Sequence, residues 1–190
     1  RRPSRADAVH ANAGARPTSR HHRRWMIKRE HHALAYIGLG SNLEAPRDQL
    51  ERALSALASL PLSECVARSS LYTSAPVGPQ DQPDFINAVA AIRTRLSPLA
   101  LLDQLQALEQ RHRRVRERHW GPRTLDLDLL WYAGLQQNTP RLRLPHPEMS
   151  RRRFVLEPLA EIAPTLSLDD ETPLALAARL TDQTLHRLND

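Results

Sequence analysis

Asp126 and Asp128 stand one residue apart in the alternating stretch Thr124–Tyr132, in which Leu125, Leu127, Leu129 and Trp131 share the other phase. On a strand, residues i and i+2 point to the same face about 6.6–6.8 Å apart, so both carboxylates converge on one spot. Converging carboxylates repel unless a cation lies between them, and hard oxygen ligands suit Mg²⁺. That ion keeps several waters and completes its shell with substrate phosphates. A solvent-facing strand with two exposed acids has the same spacing, so the neighbours have to decide. Arg111, Arg113, Arg114, Arg116, Arg118 and Arg123 lie just upstream, opposed only by Glu117. Guanidinium forks match phosphate oxygens bidentately, and a cluster of them neutralises a polyphosphate. A solvated helix end also collects arginines, because the helix dipole favours cations there. This run, however, leads through Trp120–Arg123 directly into the aspartates. Cations for phosphate beside acids for Mg²⁺ are the two halves of a nucleotide phosphoryl-transfer site. The G-x-x-x-x-G-K-S/T motif does not occur, so the site is not a P-loop.

A second group of residues suits a flat heterocycle. Phe85 and Asn87 project from one face of an alternating segment, one offering a ring and the other an amide donor and acceptor. A phenylalanine packed under a loop and an asparagine capping a turn would give the same pattern. His146 lies between Pro145 and Pro147, a rigid setting that is expected to be exposed. The histidine pairs 21–22 and 31–32 lack ligand spacing and carry no assignment.

These side chains need a scaffold, and the chain is long enough for one. It has 190 residues, 41% of them hydrophobic and 25% charged, with 27 Lys+Arg against 21 Asp+Glu for a formal charge of +6. Residues 1–25 hold seven arginines and one acid, which leaves 20 positive and 20 negative charges from Met26 onward. The excess therefore sits in an Arg-, Ala-, Ser- and His-rich segment without hydrophobic periodicity. Residues 1–32 read as a disordered basic extension and 33–190 as the folded domain. No apolar stretch follows the basic charges as a secretory signal requires, and the apolar residues lack the amphipathic spacing of a transit peptide. An over-extended N-terminus with its start at Met26 is the alternative. One cysteine, Cys65, excludes an intrachain disulfide framework and fits a reducing compartment. Apolar runs are only a few residues long, so no membrane span is expected and a cytoplasmic location is.

Ala33–Gly40 reads as a buried strand. Its Gly38 and Gly40 do not continue into a dinucleotide fingerprint, because Leu43 stands at the third glycine. Pro46 opens a helix carrying Leu50, Ala53, Leu54, Leu57 and Leu60, and Pro61 stops it. Residues 62–73 read as a weaker strand, Ser74–Pro83 as a loop, and 85–96 as a strand with Ile86, Ala88, Ala90 and Ile92 on one face. Ser97–Pro98 caps a helix with the stripe Leu101, Leu102, Leu105 and Leu108. Thr124–Tyr132 closes the set. The order β-α-β-β-α-β is the split-βαβ or ferredoxin-like α+β plan, an antiparallel sheet with helices on one face. Residues 140–190 add a short strand, a helix over Arg153–Ile162 and a terminal helix begun by Pro173.

Five blocks, in order, make the pattern specific: Tyr36–Leu43, Gly78–Asn87, Arg114–Arg116, Trp120–Asp128, and Leu144–Pro147 with Arg152–Phe154. Over about residues 33–165 the chain closely resembles the 6-hydroxymethyl-7,8-dihydropterin pyrophosphokinase family, whose members move pyrophosphate from ATP to a pterin alcohol. The resemblance implies the ferredoxin-like fold, ATP as co-substrate and two Mg²⁺ ions on Asp126 and Asp128. Arg114, Arg123, Asp126 and Asp128 would carry catalysis, with Asp126 also touching the pterin. Arg114, Arg116 and Arg123 would answer phosphate charge from one side, and His146 and Arg152 from the other. Gln106, Glu109, Leu129 and Arg141 fall at nucleotide-site positions. The pterin would lie between Phe85 and Phe154, edged by Ser74, Val77 and Asn87, with Trp120 closing over both substrates. Segments 74–84 and 111–122 look like the family's lids. Phe85 stands where a tyrosine is familiar, Pro147 replaces another tyrosine, and the stretch from Arg114 to Trp120 is one residue short. A monomer binding small molecules and neither nucleic acid nor membrane is expected. The rival class, a nucleic-acid binder using the basic segment and the arginine cluster, would set Asp126 and Asp128 against its own ligand. An inactive scaffold would have no use for Asn87, Arg123, Asp126 and Asp128 together.

Overall fold

The computed structural model describes residues 32–42, 45–75, 84–116 (backbone alone over 114–116) and 125–189. Two glycines and seven apolar or small residues make β1 (Ala33–Ser41), an interior strand of the sheet. On one side it pairs antiparallel with β4 (Phe85–Thr94), from Ala33↔Thr94 to Ser41↔Ile86. On the other it pairs antiparallel with β5 (Leu125–Tyr132), Gly40 facing Asp126 and Gly38 facing Asp128. The segment expected as one weak strand is two, β2 (Ser63–Arg68) and β3 (Tyr72–Ser74), both antiparallel to β4. Ser69 marks the break. Its amide donates to the Val89 carbonyl at 2.8 Å, while its hydroxyl accepts from the Val89 amide at 2.9 Å. A side chain thus satisfies a ladder amide, and regular pairing lapses there. β6 (Gln137–Asn138) and β7 (Arg143–Leu144) form a small separate ribbon. β8 (Leu185–Arg187), which the sequence reading did not foresee, adds an edge strand to β3.

The main order β5-β1-β4-β3-β8, with β2 also on β4, is the α+β ferredoxin-like arrangement. Helix α1 (Pro46–Ala58) buries Leu50, Ala53, Leu54 and Leu57, the expected stripe. Helix α2 (Pro98–Arg116) starts where Ser97 accepts the Ala100 amide at 3.2 Å, and it buries Leu101 and Leu105. Both cover the sheet face carrying Ile37, Leu39, Ile86, Ala88, Ile92, Leu127 and Leu129.

The expected C-terminal helices cover the other face. Val89 and Ala91, between the alternating residues, meet Val155, Leu156 and Leu159 of α3 (Arg153–Ile162) and Ala177 of α4 (Pro173–Ala178). The two C-terminal helices therefore complete a three-layer sandwich, while Phe85 and Asn87, nearer the strand's start, remain available to a cavity. Thr172 caps α4 by accepting the Ala175 amide at 3.2 Å, with Pro173 at its first position.

Strand β5 departs from strict alternation. Tyr36 faces Trp131 but Ile37 faces Leu129, so Leu130 is an extra residue, a bulge. Beyond it the phase reverses. Trp131 sits on the α3 face, its ring 5.4 Å from that of Tyr36, and Tyr132 takes the α2 face. The expected grouping of Trp131 with the leucines fails for this reason. Among the described residues, no helix is long and apolar enough to cross a membrane.

Candidate active site

The register places Asp126 and Asp128 beside Gly40 and Gly38 on the same side of the sheet. Where two neighbouring strand residues have no side chain, the sheet has a floor rather than a wall. A cavity of about 200 Å³ opens there, with Gly38 and Gly40 as floor and Asp126 and Asp128 along one side. Ser74, Phe85 and Asn87 form the opposite side, and Arg152, Phe154 and Val155 of the segment leading into α3 close over it. A Cβ on Gly40 would lie 3.3 Å from the Asn87 Oδ1 and 3.7 Å from the Phe85 ring, so close approach is what the glycine provides. Asn87, 2% exposed, donates from Nδ2 to the Ser74 hydroxyl at 2.7 Å. That bond fixes the amide's orientation and turns its acceptor toward Gly40. The Arg152 guanidinium lies 5.7 Å from the centre of the Phe154 ring, a cation–π contact.

A second cavity, of about 340 Å³, runs along the outer edge of β5. Gln106 and Glu109 of α2 line it from one side, and Arg141, His146 and Pro147 from the other, with Leu127, Asp128 and Leu129 between them. Among the described residues, Asp128 alone lines both cavities. Arg141 donates to the Gln106 side chain at 3.1 Å and pairs with Asp103, which holds two walls of the cavity together.

The bulge in β5 positions His146. The Leu130 carbonyl accepts the His146 amide at 2.8 Å, and the His146 Nδ1 accepts the Glu148 amide at 3.1 Å. A neutral ring therefore carries its proton on Nε2, the nitrogen left to donate. His146 is half-buried rather than exposed as expected. Burial lowers its pKa below the ordinary value against the opposing pull of Asp128, and Arg152 acts with burial. Glu109 moves the other way. Burial raises its carboxyl to about 7, and the charges of Asp126 and Asp128 add to this against the Leu127 amide and Arg113. Like-charged carboxyl groups this close to one another favour a cation between them.

The model of the 7,8-dihydro-6-hydroxymethylpterin-pyrophosphokinase family matches residues 36–164 of this sequence. The chain belongs to this family. It is 53% identical over 145 residues to the 2-amino-4-hydroxy-6-hydroxymethyldihydropteridine pyrophosphokinase of Pseudomonas aeruginosa, covering 75% of this chain and 90% of that one. With the enzyme of that name from Haemophilus influenzae it shares 49% over 156 residues, 82% of this chain and 98% of that one. A crystal structure of a Plasmodium falciparum HPPK-DHPS triple mutant superposes with a TM-score of 0.64 at 12% identity. The match covers 80% of this chain and 44% of that longer one, and at such identity it speaks for the fold alone. As a pyrophosphokinase the chain is an ATP-dependent diphosphotransferase of folate biosynthesis.

The expected site residues that the structure describes divide between the two cavities. Ser74, Phe85, Asn87, Asp126, Arg152 and Phe154 line the strand-walled cavity, and Gln106, Glu109, Leu129, Arg141 and His146 the edge cavity, with Asp128 common to both. Arg152, expected with His146 on phosphate, is thus placed against Phe154. Val77, Trp120 and Arg123 lie outside the described residues, as do the side chains of Arg114 and Arg116. The sequence reading missed Gly38 and Gly40 as cavity floor, although their i, i+2 spacing on a strand next to the aspartates was the available signal. It also missed Leu130 as the anchor of His146; a bulge leaves little trace in sequence.

Among the described residues there is no cluster of three or more His, Cys, Asp or Glu side chains able to hold a metal. Asp126 and Asp128 supply two hard oxygen donors at the junction of the cavities. A donor set of that size fits Mg²⁺, which takes one or two carboxylates and fills its shell with water and phosphate.

Proposed function

We propose that the chain transfers pyrophosphate from ATP to 6-hydroxymethyl-7,8-dihydropterin, with the pterin in the strand-walled cavity and ATP in the edge cavity. The observation that carries this reading is Asp128, the residue lining both cavities. In a direct transfer the hydroxymethyl oxygen and the β-phosphorus must meet at one point, and the junction of the cavities is such a point. The Phe85 and Phe154 rings line a slot suited to a planar heterocycle, and Asn87 offers its edge a fixed amide. Gln106, Glu109 and Arg141 offer polar groups to a nucleotide, and His146 offers an Nε2–H to a phosphate oxygen.

Asp126 and Asp128 would hold the two Mg²⁺ ions that the family pattern implies. When bound, Mg²⁺ neutralises polyphosphate charge and orients both substrates. The pterin oxygen attacks the β-phosphorus in line, forming a new O–P bond as the bond to the bridging oxygen of AMP breaks, and AMP leaves with that electron pair. The hydroxyl proton passes to the Asp126 carboxylate. Positioning and electrostatics supply most of the rate, since no strong base is needed for a loose phosphoryl transition state. Arg114, Arg116 and Arg123 would bring further positive charge to the phosphates. The enzyme is proposed to act as a monomer in the cytoplasm, with residues 1–32 a separate extension.

The test is AMP release from ATP with the pterin alcohol as acceptor, with and without Mg²⁺. AMP and pterin diphosphate are expected in equal amounts and only with all three components. Release of ADP, or AMP release indifferent to the pterin, would overturn the reading.

A further inference from the structure

Helix α3 begins behind an arginine. Arg152 is its N-cap, extended at φ −121° and ψ 106°, and its side chain makes no capping bond. Local chemistry argues against this residue. N-caps favour Ser, Thr, Asp or Asn, whose oxygen accepts a first-turn amide, and the positive end of the helix dipole disfavours a cation. The side chain is engaged elsewhere: it lines the strand-walled cavity and lies over Phe154. A residue that violates the local rule at a site is expected to be compensated from another part of the chain.

The compensation comes from Gln183. Its Oε1 accepts the Arg153 amide at 2.9 Å, and its Nε2 donates to the Arg151 carbonyl at 2.7 Å. The two bonds straddle Arg152. An amide carries an acceptor and a donor on one planar group, which suits an N–H and a C=O flanking a single residue. Gln183 is held in return, since the Arg153 guanidinium donates to its carbonyl at 3.2 Å and its own amide donates to Leu180 at 3.2 Å. Arg153 is steadied in turn by Glu157 at 3.0 Å.

We propose that Gln183 is a positioning residue for the pyrophosphokinase reaction, capping α3 from outside and pinning the backbone on both sides of Arg152 so that the guanidinium is presented to the pterin. The proposal rests on the assignment of the strand-walled cavity to the pterin. Gln183 touches no substrate in this scheme; it acts through Arg152.

Steady-state kinetics and melting temperatures of Gln183→Met, Arg152→Ala and the double variant test it. Gln183→Met is expected to raise KM for the pterin alcohol about tenfold, with kcat and the KM for ATP changed less than about twofold. In the Arg152→Ala background the same change is expected to add nothing, because the group being positioned is gone. Gln183→Glu keeps the acceptor for the Arg153 amide, so it should recover part of the loss; should the methionine variant not fold, this one carries the comparison. A lowered melting temperature with unchanged KM, or equal effects in both backgrounds, would make Gln183 a structural brace and overturn the proposal. If Arg152→Ala itself leaves the pterin KM unchanged, the proposal is overturned, whereas the cavity assignment falls only if Phe154→Ala also leaves it unchanged, so the two failures are distinguishable.

Discussion

The two cavities that meet at Asp128 are built by different means. The strand-walled one is bounded by β1, β3, β4 and β5, and two of its polar groups, Asn87 and Ser74, are buried and bonded to each other. The edge cavity is bounded by one face of α2 and the segment 140–147, and its polar groups sit on long side chains tied by exposed contacts such as Arg141 with Asp103 and Gln106. Backbone held by a pairing ladder gives fixed shape, which suits discrimination of a rigid ring. Long charged side chains give adaptable charge, which suits a flexible polyphosphate. Shape should fail abruptly on small steric changes, and charge should fail gradually.

Asp128 belongs to both, so its loss is the most severe test. Asp128→Ala is expected to lower turnover about 10³-fold at saturating Mg²⁺ while leaving the melting temperature nearly unchanged, since a half-buried edge-strand acid carries little of the core. Near-normal AMP release from that variant would break the idea of a shared centre.

Gly40→Ala separates the two. The added methyl would stand 3.3 Å from the Asn87 Oδ1, and Asn87 cannot retreat without loosening its 2.7 Å bond to Ser74. KM for the pterin alcohol should rise about tenfold with little change for ATP. Equal rises for both substrates would show that the cavities are not independent. Arg141→Ala probes the other side. Removing this half-exposed guanidinium should raise KM for ATP about threefold to fivefold, a screened effect that shrinks further in high salt, and leave the pterin KM alone.

The same contrast governs how much could be read from sequence. The helices and strands of the core were legible because their leucines and alanines recur at 3.6 or 2 residues, down to the Arg153–Ile162 helix. Of the edge cavity, Asp128 stood out by its spacing and His146 by its flanking prolines, while Gln106, Glu109, Leu129 and Arg141 came only from the family resemblance. What escaped depends on backbone: the glycine floor, the Ser69 break, the Leu130 bulge that reverses Trp131 and anchors His146, and the outside cap from Gln183. Each is a hydrogen bond or a missing side chain whose meaning appears only when distant strands are brought into register. The second buried face of β4 escaped for a related reason, because an alternating pattern does not say whether a later helix will cover its other side.

The smallest expected effect lies behind the strand-walled cavity. Glu161, in the last turn of α3, accepts from the Tyr72 hydroxyl at 2.7 Å and from the Ser70 hydroxyl at 2.7 Å and amide at 3.0 Å, with Arg187 of β8 at 3.6 Å. It thereby ties the strand bearing Ser74 to the helix whose first turn bears Phe154. Burial alone would raise its pKa, but the bonds from Tyr72 and Ser70 and the Arg187 charge outweigh it and hold the carboxyl below its ordinary 4.5. A depressed carboxyl adds stability above the unfolded value, and that contribution disappears as pH falls through the folded one. Glu161→Gln should therefore lower the melting temperature by about 2–4 °C at neutral pH, with the gap closing as the pH falls through the folded-state value. Kinetics at the edge cavity should not change. A gap of constant size across that range would mean that the carboxylate's charge contributes nothing and that the amide fails only as a poorer acceptor for Ser70 and Tyr72.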